Sequence, residues 1–274
     1  MSSILTNRSA MTALQTLRGI NSDLAHTQNA ISTGKDISGA KDNASIWAIS
    51  KVMESDVSGF KSVADSLALG DSTLAVALAG AEQITDLLND IKEKVVAATG
   101  ENVDYTKLGN DVTELSNQVT SIIAASQFNG FNLLNDDGVD LTVLSSIDRD
   151  SSGAVTAANI TVTAVDFTSN LDLSDIDVSS SSAAEASIAN IEAHIQTAVD
   201  AAAALGASAS RIEDQTEFVN QVMDAMKSGI GSLVDADMEA ASARLQALQT
   251  QQQLGVQALS IANSSPQTIL QLFQ

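Results

Sequence analysis

The 274-residue chain has no cysteine, a single proline and two histidines. Without cysteine, disulfides, thiol catalysis and cysteine-ligated zinc sites are excluded. His26 and His194 are far apart in the sequence, so a catalytic triad or a histidine metal site has little to draw on. Because proline interrupts helices and marks loops, its absence before Pro266 allows very long helices and argues against a loop-rich enzyme.

Basic and aromatic residues are also scarce. The chain has 13 Lys+Arg against 34 Asp+Glu, a formal net charge of −21, and only 3% aromatic residues. Such a field repels nucleic acid and anionic lipid, and few rings are available for stacking on bases. No run of about 18 uncharged apolar residues occurs, and the N-terminus lacks the apolar segment and cleavage site of a secretory signal. We therefore expect no nucleic-acid partner, no membrane span, no cleavable signal and no cofactor or metal.

Apolar residues recur at alternating spacings of three and four over residues 46–95. A heptad pattern kept for about seven repeats predicts a long coiled-coil-like helix, roughly 75 Å in length. Only Asp56 and Gly70 interrupt this first seam. Its apolar members are Ile46, Ile49, Met53, Phe60, Val63, Leu67, Leu74, Ala77, Ala81, Ile84, Leu88, Ile91 and Val95.

A second seam of similar length runs over residues 188–233, and a shorter helix is predicted around Leu108, Val112 and Val119. The short polar linker 100–106 favours an antiparallel turn between the helix of the first seam and this shorter helix. The sequence therefore predicts a mainly α protein, an elongated rod of long antiparallel coiled-coil-like helices. The second seam consists of Ile188, Ile191, Ile195, Ala198, Ala202, Leu205, Ala209, Ile212, Thr216, Val219, Met223, Met226, Ile230 and Leu233.

Each end of the chain adds an amphipathic helix outside these seams. At one end the stripe stops at Gly34, and at the other the register slips at residues 235–237 before it resumes. Helices from opposite chain ends can pair with each other or with neighbouring molecules. We expect paired terminal helices whose stripes are Leu17, Ile20, Leu24 and Ile31 at one end and Leu245, Leu248 and Leu259 at the other.

Residues 135–185 are acidic and differ from the rest of the chain. Two runs rich in β-branched residues, 141–144 and 160–165, predict a small β-hairpin insert. Between them, residues 148–159 nearly fit a calcium loop, with Asp148 first and Gly153 sixth, but Asn159 stands where a bidentate Glu is expected. Two interpretations are open, a hairpin turn or a weak calcium site.

Motifs at both ends of the chain resemble those of bacterial flagellins. The N-terminal motif runs over residues 32–44 as STGKDISGAKDNA, and a second, SQFNG, covers residues 126–130. At the C-terminus the similar stretches are 233–238, 252–263 and 269–273. The resemblance covers about residues 1–134 and 186–274, with the short flagellins of alphaproteobacteria as the nearest likeness.

The resemblance implies a structural subunit that self-polymerises into the flagellar filament for swimming motility. It also implies unprocessed export by the flagellar type III apparatus, an extracellular location, and an export chaperone, hook-associated proteins and cap proteins as partners. The implied domains are a polymerisation domain (1–45 plus 235–274), a helical domain (46–134 plus 186–234) and a solvent-facing variable region (135–185). The terminal stripes are then the polymerisation interface.

The resemblance further implies which residues of this chain correspond to the receptor patch of the family. In many flagellins an arginine-centred patch on the second helix is read by Toll-like receptor 5. Aligning Lys92 and Glu93 on the family's Arg-Glu puts Asn89 and Asp90 at the Gln-Arg pair, and Lys94 where Leu is frequent. The chain departs from the family pattern here.

Three other functions stay open at this point. A hook–filament junction protein would share the terminal motifs, and a calcium-dependent binding module would need a metal at 148–159. An enzyme would need a pocket with convergent ionisable groups, and the sequence offers no such set.

Overall fold

A computed structural model describes residues 7–135, 139–150 and 152–271, without the side chains of 265–271. Residues 1–6, 136–138, 151 and 272–274 lie outside this part of the chain. They include pieces of the predicted polymerisation domain, of the variable region and of the possible calcium loop. The helices are α1 (Arg8–Thr33), α2 (Ala44–Ala97), α3 (Tyr105–Ala125), α4 (Phe167–Asn170), α5 (Ser181–Val234) and α6 (Met238–Gln271), with a 3₁₀ turn at Leu173–Asp175. The strands are β1 (Gln127–Phe128), β2 (Phe131–Asn132), β3 (Leu141–Arg149) and β4 (Val155–Val162).

The chain divides into two compact units. Unit 1 consists of Met1–Val57 and Ala225–Gln274, and unit 2 is Ser58–Asp224. Both boundaries lie inside long helices, α2 and α5, rather than at helix ends. The functional division at residues 45/46 and 234/235, implied by the resemblance, stays a prediction.

The first seam forms one side of the core of unit 2. All of its apolar members from Phe60 to Val95 are buried along α2, and Gly70 is buried with them. The predicted long amphipathic helix is confirmed, since 54 residues form α2 without a break.

The prediction for the N-terminal end of the first seam is wrong by one residue. Ile49 is 51% exposed, whereas Ser50 is buried and its hydroxyl donates to the carbonyl of Trp47 at 2.9 Å. An α-helix has 3.6 residues per turn, so a strict seven-residue pattern drifts around its surface by about 20° per heptad. At the start of the seam the buried face of α2 therefore includes Ser50, one position after the predicted Ile49.

The second seam lies on α5, and every seventh residue of it is deeply buried. Its heptad-spaced members in unit 2 are Ile191, Ala198, Leu205, Ile212 and Val219. Leu233, the last predicted member, is instead 39% exposed, and Val234 is buried. Val234 ends α5, and its carbonyl accepts the backbone N–H of Asp36 at 2.8 Å, so the connector after α1 lies against this end of the helix.

Contacts between the long helices of unit 2 show that they run antiparallel. Lys92 on α2 pairs with Glu192 on α5, and two residues beyond the end of α2 the carbonyl of Thr99 accepts the hydroxyl of Ser181 at 2.7 Å. As residue numbers rise on α2 they fall on α5, as predicted. Val112 and Val119 of α3 are buried in the same unit, which confirms the third helix.

The insert folds as an antiparallel hairpin that is shifted from its predicted position. β3 and β4 pair from Leu141 opposite Val162 to Arg149 opposite Val155. The predicted strand over 160–165 ends at Val162, because the N–H of Val165 donates to the carbonyl of Leu133 at 2.7 Å instead. The strands continue toward their turn through residues expected to be loop.

A shorter hairpin, β1 and β2, has no counterpart in the sequence predictions. Its two-residue turn is Asn129-Gly130, and both have positive φ, 53° and 83°. Asn-Gly is the pair that tight hairpin turns of this kind favour, so the signal was present in the SQFNG motif.

Candidate functional site

The terminal helices pack against each other inside unit 1. Helix α1 lies along α6, and the inner stripe between them consists of Leu17, Ile20, Leu24, Ile31, Leu245, Leu248 and Leu259. Leu248 is only 6% exposed, and the other members are half-buried. The stripes therefore bury apolar surface against each other within a single chain.

Small and polar residues fix the register of this helix pair. The Cδ1 atom of Leu17 lies 3.0 Å from the position that a Cβ on Gly255 would take, so the glycine permits close approach. The amide of Asn7 donates to the carbonyl of Ala262 at 2.7 Å, and that of Gln252 donates to Oδ1 of Asn21 at 2.7 Å. Two hydrogen bonds between residues far apart in the sequence thus hold α1 and α6 in one alignment.

A second set of apolar side chains lies outside the inner stripe. These outer residues are the exposed Met11 and Leu14 on α1 and Leu254 and Ile261 on α6. Leu254 is 62% and Ile261 70% exposed, and they are seven residues apart, so they lie on the same face of α6. The predicted stripes do not include them, because only one apolar stripe per helix was predicted. The signal was available in the spacing of Leu254 and Ile261.

The connector between α1 and α2 is held by the residues of the N-terminal motif. Gly34 ends α1 in the left-handed conformation, with φ 71°, and its carbonyl accepts the N–H of Ala236 at 2.9 Å. The carboxylate of Asp42 accepts the N–H groups of Ser38 and Gly39 at 3.1 and 3.0 Å. These hydrogen bonds, above all the one from the Gly39 N–H, lower the pKa of Asp42.

Residues of the N-terminal and C-terminal motifs also start the next helices. Oδ1 of Asn43 accepts the N–H of Ile46 at 3.2 Å and begins α2, and Oδ1 of Asp237 accepts that of Ala240 at 3.1 Å and begins α6. Lys35 bridges to Glu54 at 3.4 Å. Residues at 34–43 and 235–237 that carried the resemblance thus serve helix ends and the turn between helices.

The possible calcium loop is not a loop in the structure. Asp148 pairs with Thr156 and Asn159 with Leu144 in the hairpin, so the two ends of the calcium pattern are strand residues. Oδ1 of Asp150 accepts the N–H groups of Ser152 and Ala154 at 2.8 and 2.9 Å. The Ser152 hydroxyl also donates to this oxygen, and this bond above all, together with those from the backbone, lowers the pKa of Asp150. The geometry favours the hairpin-turn interpretation.

No other chemical centre was found among the residues described. Over 7–135, 139–150 and 152–271, no three His, Asp or Glu side chains come together as metal ligands. A groove of about 850 Å³ runs beside α3 over Val112, Val119 and Phe167, and Asp172 is the one ionisable side chain among its described lining residues. A lone carboxylate does not supply the convergent groups that catalysis needs.

Among the residues that the structure describes, one helix, α2, is long and apolar enough by composition to cross a membrane. Its largest apolar side chains, among them Leu67, Leu74 and Leu88, are completely buried by the rest of unit 2. A core helix passes the same composition test, so this is weak support for a membrane span.

The positions compared with the receptor patch lie on α2. Asn89 and Asp90 are exposed, and the Asn89 amide donates to the carbonyl of Thr85 at 2.9 Å. Nζ of Lys94 lies 3.7 Å from a carboxylate oxygen of Asp111 on α3. The structure therefore places two of the three side chains in the open and pairs the third.

Two family models match the chain at the ends where the motifs were found. The bacterial flagellin N-terminal helical region matches residues 4–138, and the bacterial flagellin C-terminal helical region matches residues 188–273. Together they span α1, α2, α3, most of α5 and α6.

The chain belongs to the bacterial flagellin family.

Named flagellins match this flagellin over its full length. It is 43% identical to a flagellin of Brucella melitensis, with all of both chains covered. It is 40% identical to flagellin FljK of Caulobacter vibrioides, with all of this chain and 99% of the relative covered. A crystal structure of Bacillus cereus flagellin is similar at 20% identity and a TM-score of 0.44, covering 59% of this chain and 88% of that one.

Family membership settles the class of function. Flagellins are structural proteins rather than enzymes, and their subunits polymerise into the flagellar filament used for motility. This chain is such a structural subunit. Flagellins of the alphaproteobacteria Brucella, Caulobacter and Rhizobium are among its relatives, as the resemblance indicated.

Proposed function

We propose that the α1–α6 pair is the element through which subunits polymerise. The observation that carries the proposal is the pair of exposed residues Leu254 and Ile261 on α6, with Met11 and Leu14 on α1. Apolar side chains left in water on an already paired helix favour burial against another molecule. Each Leu or Ile that becomes fully buried contributes about 1.5–3 kcal/mol.

The inner and outer residues have different tasks in this proposal. The inner stripe holds α1 on α6, while its half-buried members, Leu17, Ile20, Leu24, Ile31, Leu245 and Leu259, keep exposed edges that a neighbour can cover. The outer residues contact neighbouring subunits directly. A filament requires that different surfaces of neighbouring subunits meet head to tail, because such a contact continues as an open helix when its rotation does not close.

The proposal extends to the route of the subunit. As a flagellin, the chain is exported unprocessed by the flagellar type III apparatus and is located in the extracellular filament. Its further partners are then the export chaperone, the hook-associated proteins and the cap proteins. These steps rest on family membership.

Seeded filament growth tests the polymerisation surface. The double variant Leu254→Asp/Ile261→Asp should keep its helical circular dichroism and fail to elongate seeds, because unpaired carboxylates would be buried in the contact. A matched control, Gln253→Asp/Ser260→Asp, has the same charge and spacing at exposed positions on a different face of α6. Normal elongation by the double variant would reject the proposal.

A further inference from the structure

The acidic charge of the chain is concentrated in one of its two compact units. Unit 2 has 26 Asp+Glu and 6 Lys+Arg, a formal charge of −20. Unit 1 has 8 Asp+Glu and 7 Lys+Arg, a formal charge of −1. Almost the entire net charge of −21 therefore belongs to Ser58–Asp224.

The bases of unit 2 leave most of its acidic charge uncompensated. Lys92, Lys94 and Lys107 each already pair with a carboxylate of the same unit. Exposed carboxylates continue along both long helices, for example Asp71 and Asp86 on α2. Unit 2 thus presents a field of one sign to its surroundings, whereas unit 1 is close to neutral.

We propose that repulsion between unit 2 of neighbouring subunits opposes polymerisation, so that ionic strength controls filament growth. The inference rests on the proposed function, in which unit 1 supplies the contacts. Helices α2 and α5 run without a break from unit 1 into unit 2, so every subunit added through unit 1 brings its acidic unit with it. The nearly neutral unit 1 adds little to this repulsion.

The screening of charges by salt sets the range of salt concentrations over which filament growth should change. Charges interact over about 30 Å at 0.01 M salt but only about 8 Å at 0.15 M. At low salt the acidic units of adjacent subunits repel one another over tens of ångströms, and at physiological salt this repulsion is largely screened beyond about 8 Å. Raising NaCl from about 10 to about 150 mM should therefore increase the seeded elongation rate by about tenfold or more.

A charge-neutralised variant tests the cause of this dependence. It replaces six exposed carboxylates of unit 2 by amides, as Asp71→Asn, Glu82→Gln, Asp86→Asn, Glu93→Gln, Glu213→Gln and Asp214→Asn. Its matched control exchanges Asp and Glu at the same six positions and so keeps the charge. Elongation rates on preformed seeds are measured across the NaCl series, with thermal unfolding as the check that each chain is folded.

The expected result is a clearly flatter salt dependence for the neutralised variant, with faster growth at low salt, and a wild-type dependence for the charge-preserving control. Equal salt dependence in all three chains would overturn the inference while leaving polymerisation through unit 1 intact. Failure of the folded wild-type chain to elongate at any salt concentration would instead reject the proposed function.

Discussion

A Cβ atom on Gly70 would lie 2.5 Å from Cγ2 of Val143. Gly70 interrupted the apolar seam of α2 in the sequence, and the structure gives the reason. Val143 of β3 is 2% exposed and occupies the space that a larger side chain on α2 would need. The gap in the heptad pattern is the place where the hairpin insert contacts the long helix.

Gly70→Ala should therefore destabilise unit 2 by about 1–3 kcal/mol, because overpacking outweighs the gain in helix propensity. The matched control is Gly206→Ala on α5, where nothing lies within 4 Å of the new Cβ. That change should stabilise the chain by about 0.5–1 kcal/mol. Chemical denaturation of both variants measures the difference, and equal effects at the two positions would contradict the packing argument.

Calcium should leave the thermal stability of the chain unchanged. The carboxylate of Asp150 already accepts two backbone N–H groups, and Asp148 is held in β3. A ligand that binds only the folded state at one hundred times its Kd stabilises by about 2.7 kcal/mol. A rise in Tm with millimolar calcium, reversed by a chelator, would restore the calcium-site interpretation.

The sequence predicted those features of the fold that are set by neighbouring residues, and missed those that depend on contacts with distant parts of the chain. The seams of α2 and α5, the terminal stripes and the helix ends at Gly34 and Asp237 follow from periodicity and capping, which act within a few residues. The burial of Ser50 instead of Ile49 depends on how a long helix drifts against its neighbours. The limit of β4 depends on the carbonyl of Leu133, which no local pattern reveals.

The candidate site was predicted in part for the same reason. Periodicity identified the inner stripe on each helix, but it could not say that α1 and α6 cover these stripes with each other. That pairing moves the surface available to a neighbour toward Leu254 and Ile261, which a search limited to one stripe per helix overlooks.

The segment after β4 should loosen in acid. Asp166, Asp172 and Asp177 each have a lowered pKa because of hydrogen bonds from Ser169, Ser174 and Ser179, respectively. A carboxyl whose pKa is lower in the folded state stabilises the fold above its unfolded pKa, near 3.9, and loses that contribution as the pH falls toward its folded pKa.

The variant Asp166→Asn/Asp172→Asn/Asp177→Asn tests this pH dependence, since Asn accepts the same capping hydrogen bonds without titrating. Between about pH 5 and pH 3 the Tm of the wild-type chain should fall relative to that of the variant. Parallel Tm curves for the two chains would show that these carboxylates do not couple the fold to pH.

Recognition by Toll-like receptor 5 should be weak if this flagellin is read at the family's patch. Asp90 has the opposite charge to the family's arginine and is exposed, and Lys94 is occupied with Asp111. Like charges placed against a partner surface cost several kcal/mol. In a reporter-cell assay Asp90→Arg should raise the response above that of the wild-type chain. Wild-type activation as strong as that of an arginine-bearing flagellin would refute the prediction.

The difference between inner and outer residues can be measured in the unassembled subunit. Leu248→Ala removes a side chain that is 6% exposed, so it should weaken the docking of α1 on α6 by about 2–5 kcal/mol. Leu254→Ala removes one that is 62% exposed on the same helix, and its effect should stay within about 0.5 kcal/mol.

Amide hydrogen exchange along α1 reports this docking, because isolated helices of this length are marginal in water and exchange quickly once released. Faster exchange in α1 for Leu248→Ala, with wild-type exchange for Leu254→Ala, is the expected pattern. In seeded growth we expect Leu254→Ala to slow elongation although it does not loosen α1. If both variants left α1 equally protected, Leu248 would not hold the pair together, and the inner stripe would have to be assigned to contacts between subunits.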